Sequence, residues 1–136
     1  MRIEEGGYVF SDDKSLIDAG SVCALLKQSY WAQDRRRESV EKSIGNSLCW
    51  GAYKDGEQVG FVRAVTDHAT MYWLCDVIID EKHRGRGLGT RLVGIAVESN
   101  ELKDLFGVLA TRDAQGFYEK FGFCVNPTMY MSRKRT

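Results

Sequence analysis

The chain has 136 residues, a length that predicts a single domain, residues 1–136, with enough side chains to bury a core. Its apolar fraction of 43% and charged fraction of 28% are typical of soluble globular proteins. The 19 basic and 19 acidic residues cancel, so no overall field attracts the chain to nucleic acid or to a membrane. We therefore expect neither of them as a partner.

The cysteines and the N-terminal stretch bear on metal binding and on the compartment. No two cysteines form a Cys-x-x-Cys pair, so buried thiols are expected rather than a zinc site, at Cys23, Cys49, Cys75 and Cys124. The N-terminal stretch MRIEEGGYVF carries acidic residues where a signal peptide is apolar, and no apolar run reaches the ~20 residues that span a bilayer. The sequence thus predicts a cytoplasmic protein without a structural metal.

Hydrophobic periodicity predicts one strand and two helices in the first part of the chain. The stretch Tyr8–Asp12 reads as a short strand. Val22, Leu25 and Leu26 have helical spacing, which predicts a helix over Asp18–Trp31. A second, shorter helix is predicted over Glu38–Ser47, with its apolar residues on one face.

Three consecutive strands are predicted next. Cys49–Lys54 and Gln58–Thr66 flank the dipeptide Asp55-Gly56, a strong hairpin signal. Met71–Ile79 follows and should pair antiparallel with the second strand of that hairpin. It is apolar at nearly every position, which favours a place in the centre of a sheet with both faces buried.

A glycine-rich turn then leads into a helix whose apolar face includes Leu88, Leu92, Val93, Ile95, Ala96 and Val97. The strand Leu105–Thr111 fits a right-handed crossover after this helix. A short helix over Asp113–Phe123, with Asp113 as its N-cap, and an edge strand over Met129–Ser132 complete the prediction. This order gives a mixed sheet with helices on its faces.

The glycine-rich turn, HRGRGLGT, stands where a strand passes into a helix. The first N–H groups of a helix lack partners and its dipole is positive there, so this end binds phosphate well. A dinucleotide fingerprint would need glycine where Thr90 or Leu92 stands, and a Walker loop would need a Gly-Lys dipeptide, which does not occur. A phosphate site of another kind and a solvated basic loop remain as alternatives.

The pattern that fits is Arg84-x-x-Gly87-x-Gly89 after a buried strand, followed some 25 residues later by DAQGFYEKFGF. These two elements, in this order, resemble those of the GNAT superfamily of acyl-CoA-dependent N-acyltransferases. The resemblance implies an α/β (α+β) fold. Its central sheet would be mixed and mostly antiparallel, with six to seven strands splayed at a bulge in Met71–Ile79 and helices on both faces.

The resemblance also implies that acetyl-CoA is the acyl donor and that no metal takes part. The pantetheine arm would pair with the backbone near Val77, Ile78 and Ile79. The pyrophosphate would be held by backbone amides of the turn, from Arg84, Gly85, Arg86, Gly87, Leu88, Gly89 and Thr90. Many members carry an asparagine before the last helix, where this chain has Thr111. Either Thr111 or Asp113 would replace part of the role of that asparagine, and Asp113 and Phe117 are expected at the donor site.

Tyr118 and Asp76 are the candidates for catalysis. Tyr118 aligns with a tyrosine that in this superfamily often protonates the departing thiolate; the alternative is an ordinary core aromatic. A backbone N–H near Val77 or Ile78 would stabilise the oxyanion. Asp76 stands inside the apolar run WLCDVII, where a carboxylate is costly unless it is paired or functional. It would be the general base, bind a cationic substrate, or form an ion pair with Arg63.

The acceptor site in this superfamily is usually built from the first two helices and their connection. Tyr30 and Trp31 would supply aromatic walls there, with Arg63 and Asp67 as further substrate contacts and His68 as a secondary candidate. Arg35, Arg36 and Arg37 are expected on a solvated turn.

The resulting hypothesis is an N-acetyltransferase that acts on a primary amine of a small molecule or peptide by direct attack in a ternary complex. A non-catalytic acyl-CoA-binding or regulatory module is the alternative. An RNA-binding protein that uses KHRGRG is disfavoured by the zero net charge. The sequence leaves open the acceptor, the acyl chain and the choice between monomer and homodimer.

Overall fold

The computed structural model describes residues 1–127 and 130–135, which form a mixed sheet flanked by helices. Six strands are hydrogen-bonded in chain order: β1 Arg2–Glu5, β2 Tyr8–Ser11, β3 Leu48–Lys54, β4 Glu57–Thr66, β5 Met71–Ile79 and β6 Phe106–Val108. Neighbours from β1 to β5 are antiparallel, and β6 runs parallel to β5. The helices are α1 Ala19–Leu26, α2 Arg37–Gly45, α3 Leu88–Val97 and α4 Gln115–Glu119, with 3-10 turns at Lys14–Leu16 and Glu81–His83.

The helices cover both faces of this sheet, as predicted. On one face the buried residues of α3, such as Leu92 and Val93, pack with Trp50 and Val62 of the sheet. On the other face α1 and α2 bury apolar side chains against Phe61 and other sheet residues. The six-stranded, mostly antiparallel sheet therefore has an apolar core on each side. In the described residues no helix is long and apolar enough to cross a bilayer.

β5 carries a bulge at Asp76, in the strand where the sequence predicted one. Phe61 pairs with Ile78, but Arg63, two residues along β4, pairs with Cys75, three residues back along β5. The extra residue is accommodated because Asp76 adopts a left-handed backbone, with φ of 54°. The bulge exchanges the two faces of the strand: before it Leu74 packs on the α3 side, and after it Ile78 packs on the α1–α2 side.

The sheet also opens at β5. β6 pairs only with the first three residues of β5, Met71 to Trp73. From Leu74 to Ile79, β5 has no paired strand on its β6 side among the described residues. Backbone groups along this stretch thus border an opening between β5 and the segment that follows β6.

The predicted hairpin at Asp55-Gly56 is confirmed, whereas a second hairpin at the N-terminus was missed. β1 pairs with β2 through a turn at Gly6-Gly7, both with positive φ. Three of the four residues in β1 are exposed, so this strand lacks the apolar alternation by which a strand is usually identified.

Several predicted boundaries were wrong. α1 ends at Leu26 rather than at Trp31, because the hydroxyl of Ser29 donates to the Leu26 carbonyl (2.7 Å) and accepts the Ala32 N–H (3.0 Å). α4 has five residues and its N-cap is Ala114, not Asp113, and β6 has only three residues. Of the predicted strand Met129–Ser132, Met129 lies outside the described residues, and residues 130–132 are not in a strand.

Candidate active site

The glycine turn lies between β5 and α3, at the open end of β5. Gly85 and Gly87 have φ of 80° and 78°, and Gly87 is the N-cap residue of α3. No side chain caps this helix, and the backbone N–H groups of residues 85–90 have no hydrogen-bond partner among the described residues. A Cβ at either glycine would meet nothing within 4 Å. The turn therefore presents free amides at a positive helix end, a geometry suited to an anion.

The arginines of the turn are engaged with the protein itself. Arg84 donates from Nε to the Ile79 carbonyl (2.9 Å), and Arg86 donates from Nη1 to the Tyr8 hydroxyl (3.1 Å). The same hydroxyl lies 2.8 Å from Nδ1 of His83. These contacts hold the turn against β2 and β5, so its free amides, rather than these two guanidinium groups, are left available to an anion.

α4 brings Phe117 against the start of α3. A Cβ built on Gly89 would lie 3.7 Å from Cζ of Phe117 and 3.7 Å from Cγ1 of Ile79, an ordinary contact distance. Thr111 accepts the N–H of Ala114 at its hydroxyl oxygen (3.1 Å) and so stabilises the turn before α4. Asp113 is exposed beside this turn.

Tyr118 follows Phe117 on α4 and is half-buried among aromatic rings, 4.9 Å from Phe117 and 6.2 Å from Phe123 between ring centroids. Burial, with a smaller contribution from Tyr30, raises the pKa of Tyr118 to about 12. The phenol therefore stays protonated at neutral pH and acts as a hydrogen-bond donor. Tyr118 packs against the same apolar core as Val77, on the α3 side of the sheet.

Asp76 is the centre of a buried ion-pair cluster. Its side chain is 2% exposed, and its Oδ2 accepts from Nε of Arg63 and from Nη1 of Arg35, both at 2.8 Å. Its Oδ1 accepts from Nε1 of Trp31 at 3.2 Å. Arg63 also donates to the hydroxyl of Ser47 (3.1 Å).

These contacts determine the charge state of Asp76. Burial by itself raises the pKa of this carboxyl, but Arg63 and Arg35 outweigh burial and hold the pKa below its ordinary value. The carboxylate is ionised and most of its acceptor positions are occupied. Of the three alternatives that the sequence left open, this geometry favours the ion pair with Arg63 over a general base.

Tyr30 and Trp31 lie in the loop of residues 27–36 between α1 and α2, the acceptor loop. Both rings are partly exposed, at 46% and 42%, and they meet edge to face at 5.1 Å. The Tyr30 hydroxyl accepts the N–H of Arg112 (3.2 Å), and the Arg112 guanidinium lies 3.8 Å from the centre of the Tyr30 ring. The acceptor loop thus contacts β5 through Trp31 and the segment after β6 through Tyr30.

Asp67 does not join this group. It lies in the β4–β5 turn, at the end of β5 that β6 pairs with, and accepts the N–H groups of Ala69 (3.0 Å) and Thr70 (2.8 Å). These bonds and the Thr70 hydroxyl hold the pKa of Asp67 well below its usual range. Asp67 therefore stabilises its own turn, which also holds His68 with a φ of 62°.

The cysteines are free thiols, and burial raises the pKa of Cys49 and of Cys75 to about 11. At neutral pH both therefore remain protonated, and a thiol in this state is a poor nucleophile. Within residues 1–127 and 130–135, no three metal-ligating side chains come together.

Two residues of the site, Arg35 and Arg112, were not identified as site residues from the sequence. Arg35 belongs to a run of three arginines that has the appearance of a solvated turn, and its partner Asp76 is 41 positions away. Arg112 adjoins Tyr30 only because β6 and the acceptor loop meet at the opening. No local pattern signals either contact.

Comparison with known proteins gives consistent matches. The acetyltransferase (GNAT) domain family matches residues 45–125. A solved structure of a GNAT-family protein from Xanthomonas campestris pv. campestris is 36% identical, covers 97% of this chain and 96% of that chain, and has a TM-score of 0.90. Its sheet and helices therefore follow the same course as those described above.

Two curated relatives match less of their own length. One is a Gibberella zeae protein named as an acetyltransferase. It is 29% identical over 114 residues, which are 69% of this chain and 64% of that protein. The chloroplastic GCN5-related N-acetyltransferase 2 of Arabidopsis thaliana is 31% identical over 114 residues, 78% of this chain and 43% of that protein. The chain thus spans less than two thirds of the length of these relatives.

The buried cluster predicts a specific dependence of stability on pH. Because the pKa of Asp76 is lowered in the folded protein, its stabilising contribution is present above the ordinary pKa of 3.8 and is lost as the pH falls further. Asp76→Asn should lower the free energy of unfolding at pH 7 by about 3 kcal/mol, since the buried arginines lose their counter-charge. That difference from the wild type should shrink below pH ~4.

Urea unfolding of both proteins at several pH values measures this difference. Asp34→Asn, an exposed carboxylate in the same loop, is the control and should stay close to the wild type throughout. A difference between wild type and Asp76→Asn that is equal at pH 7 and pH 3 would contradict the ion-pair interpretation.

Proposed function

Since this chain belongs to the GNAT acetyltransferase family, we propose that it transfers the acetyl group of acetyl-CoA to a primary amine of a small molecule or peptide. The observation that carries the proposal is the row of free amides at residues 85–90, next to the opening along β5. If the pyrophosphate of acetyl-CoA is held at these amides, its thioester arm can lie along the edge of β5 that has no strand on its β6 side. In this proposal the donor and the amine are bound together and the amine attacks directly.

The donor fits this part of the chain in two ways. A pyrophosphate matches the free amides from Gly85 to Thr90 in charge and in hydrogen-bonding capacity, with the N–H of Arg84, which donates to the Glu81 carbonyl, beside them. The amide groups of a pantetheine arm can hydrogen-bond to the backbone of β5 on its β6 side, where no strand pairs with Val77, Ile78 and Ile79. Phe117 lies at the junction of these two regions, and the exposed Asp113 borders it.

The transfer step needs two groups from the protein. The amine nitrogen forms a bond to the thioester carbon while the carbon–sulfur bond breaks, and the amine gives up a proton to water. A backbone N–H at the bulge, from Val77 or Ile78, donates to the oxygen that becomes negative. Tyr118 donates its hydroxyl proton to the departing sulfur and then takes a proton back from water, so that the net products are the amide and the free thiol.

Tyr118 can take this role because burial would raise the pKa of the departing thiol as it raises that of the phenol. A phenol with a pKa of about 12 is a weaker acid than a thiol in water, so it would not readily protonate a fully solvated thiolate. A thiolate released beside the same rings is deprived of water as well, which raises its own proton affinity, as burial does for Cys75. Removing water thus brings phenol and thiol closer in acidity.

The amine would approach from the acceptor loop. The half-exposed rings of Tyr30 and Trp31 offer apolar walls. Tyr30 also lies close enough to Tyr118 to contribute to its raised pKa. In this proposal Asp76 and Arg63 are a buried support behind these walls rather than direct substrate contacts. The free cysteines are compatible with a reducing, cytoplasmic setting.

If acetyl-CoA binds at the glycine turn, it should raise the thermal midpoint of the protein, and a substitution in the turn should remove that increase. Acetyl-CoA should raise the thermal midpoint of the wild type by several degrees, because it binds only the folded protein. Gly87→Glu should abolish this shift, because a carboxylate would occupy the anion position.

Gly56→Glu is a matched control for this experiment. Gly56 has a φ of 81°, close to the 78° of Gly87, and likewise open space around its Cβ position, but it lies in the β3–β4 turn. The thermal midpoint of Gly56→Glu without ligand should fall about as much as that of Gly87→Glu, because the backbone strain is similar. Acetyl-CoA should still raise the midpoint of Gly56→Glu. If no CoA thioester shifts the wild type, the donor assignment is wrong.

The acid role of Tyr118 predicts that Tyr118→Phe lowers kcat by about 100-fold and leaves the affinity for acetyl-CoA nearly unchanged. Release of free thiol is measured with a panel of amino acids, polyamines, aminoglycosides and peptides. Tyr53→Phe is the control, since Tyr53 is also a buried phenol with a pKa of about 12 but lies on the α1 side of the sheet.

The same panel separates the enzyme from the non-catalytic acyl-CoA-binding module. An amine that accelerates thiol release by the wild type supports the transferase. Binding of acetyl-CoA without acceleration by any amine would favour the binding module. Unchanged turnover in Tyr118→Phe would remove the acid role alone.

A further inference from the structure

The acceptor loop, residues 27–36, is attached on both sides of the opening in the sheet. On the β5 side, Trp31 and Arg35 donate to the carboxylate of Asp76. On the other side, Tyr30 accepts the N–H of Arg112, four residues after the end of β6, and stacks against its guanidinium. The loop therefore bridges the two segments that diverge at the opening.

The loop has a fixed backbone and exposed rings. Ser29 and Ala32 are buried, and the Ser29 hydroxyl bonds to the Leu26 carbonyl and the Ala32 N–H. Between these anchors, the Tyr30 and Trp31 rings retain nearly half of their surface exposed. Ring surface left exposed within an otherwise anchored loop is available for a ligand.

Asp76 is held at the point where the strand changes face. Its left-handed backbone creates the bulge, and the bulge turns its carboxylate toward the acceptor loop rather than toward the α3 core. One residue thus joins the bulge in β5 to the loop that lies across the opening. The two arginines that neutralise the carboxylate come from different elements, Arg63 from β4 and Arg35 from the loop.

We propose that Asp76 is a positioning residue for the acceptor: through Arg35 and Trp31 it holds the Tyr30–Trp31 pair across the opening and so sets the affinity for the amine. This inference rests on the proposed function, because it needs an amine to be positioned. It assigns Asp76 a role distinct from proton abstraction. The carboxylate affects the KM for the amine and leaves the donor site, on the opposite side of β5, largely unchanged.

Arg35→Gln tests the proposal without changing the rings or the bulge. It keeps a polar side chain but removes the charge that reaches Asp76. Arg36→Gln is the matched control, because Arg36 is the next residue, loses the same charge, and pairs only with the exposed Glu38. Asp76→Asn is a second variant, since asparagine tolerates a left-handed backbone and keeps the shape of the side chain.

Two measurements are made on each variant. Amide hydrogen exchange over residues 29–35 reports whether the loop is held, with or without acetyl-CoA. Steady-state kinetics use acetyl-CoA and the amine for which the wild type is fastest in the thiol-release panel. The pH dependence of kcat/KM is measured for the same pair.

If Asp76 positions the loop, Arg35→Gln and Asp76→Asn should increase exchange over residues 29–35 and raise the KM for the amine by about 10-fold. The KM for acetyl-CoA should change less than about twofold, and the pH profile should keep its shape. Arg36→Gln should resemble the wild type in every measurement. Arg35→Gln keeps the test decisive if Asp76→Asn fails to fold.

Three results would overturn the inference. Loss of kcat in Asp76→Asn together with loss of the acidic limb of the pH profile would make Asp76 the base. Equal effects of Arg35→Gln and Arg36→Gln would indicate a general charge effect. Unchanged exchange would show that the carboxylate does not hold the loop. If acetyl-CoA binds but no amine reacts, the proposed function fails, and the exchange result alone decides whether Asp76 anchors the loop.

Discussion

The extra residue in β5 is the constraint on which the rest of the site depends. A regular strand would keep Leu74 and Ile78 on the same face, but the bulge at Asp76 sends them into opposite cores. The strand bends at this point, and its β6 side is left without a paired strand from Leu74 onward. The opening that the donor would enter thus runs along the same strand in which one left-handed residue, Asp76, creates the bulge.

The proposed anion site and the buried ion pairs lie at separate places in this molecule. The chain has no net charge, so attraction of a phosphate has to be local. At the glycine turn the arginine side chains are occupied by Ile79 and Tyr8, and the free amides remain. At the bulge the opposite holds: guanidinium groups are turned inward to compensate a carboxylate that would otherwise be too costly to bury.

The parts of the fold that were predictable are those encoded locally. Asp55-Gly56 specified its hairpin, and the glycine turn with DAQGFYEKFGF carried a resemblance to the GNAT superfamily that the comparisons confirm. The end of α1 was missed because one serine hydroxyl competes with the helix for backbone groups. The pairing of Arg35 with Asp76 was missed because a contact across 41 positions depends on the folded sheet and leaves no spacing pattern.

Burial links the two sides of the proposed site. Burial among aromatic rings raises the pKa of Tyr118 above its ordinary value, and Tyr30 of the acceptor loop adds to this effect. The loop that carries Tyr30 is held by Asp76 on one side and by Arg112 on the other. A loosened loop would admit water beside Tyr30 and Trp31 and weaken the apolar walls that receive the amine, whereas the rings of Phe117 and Phe123 would still bury Tyr118. Acceptor recognition would therefore depend on this anchored segment, although neither Asp76 nor Arg35 has to touch the reacting atoms.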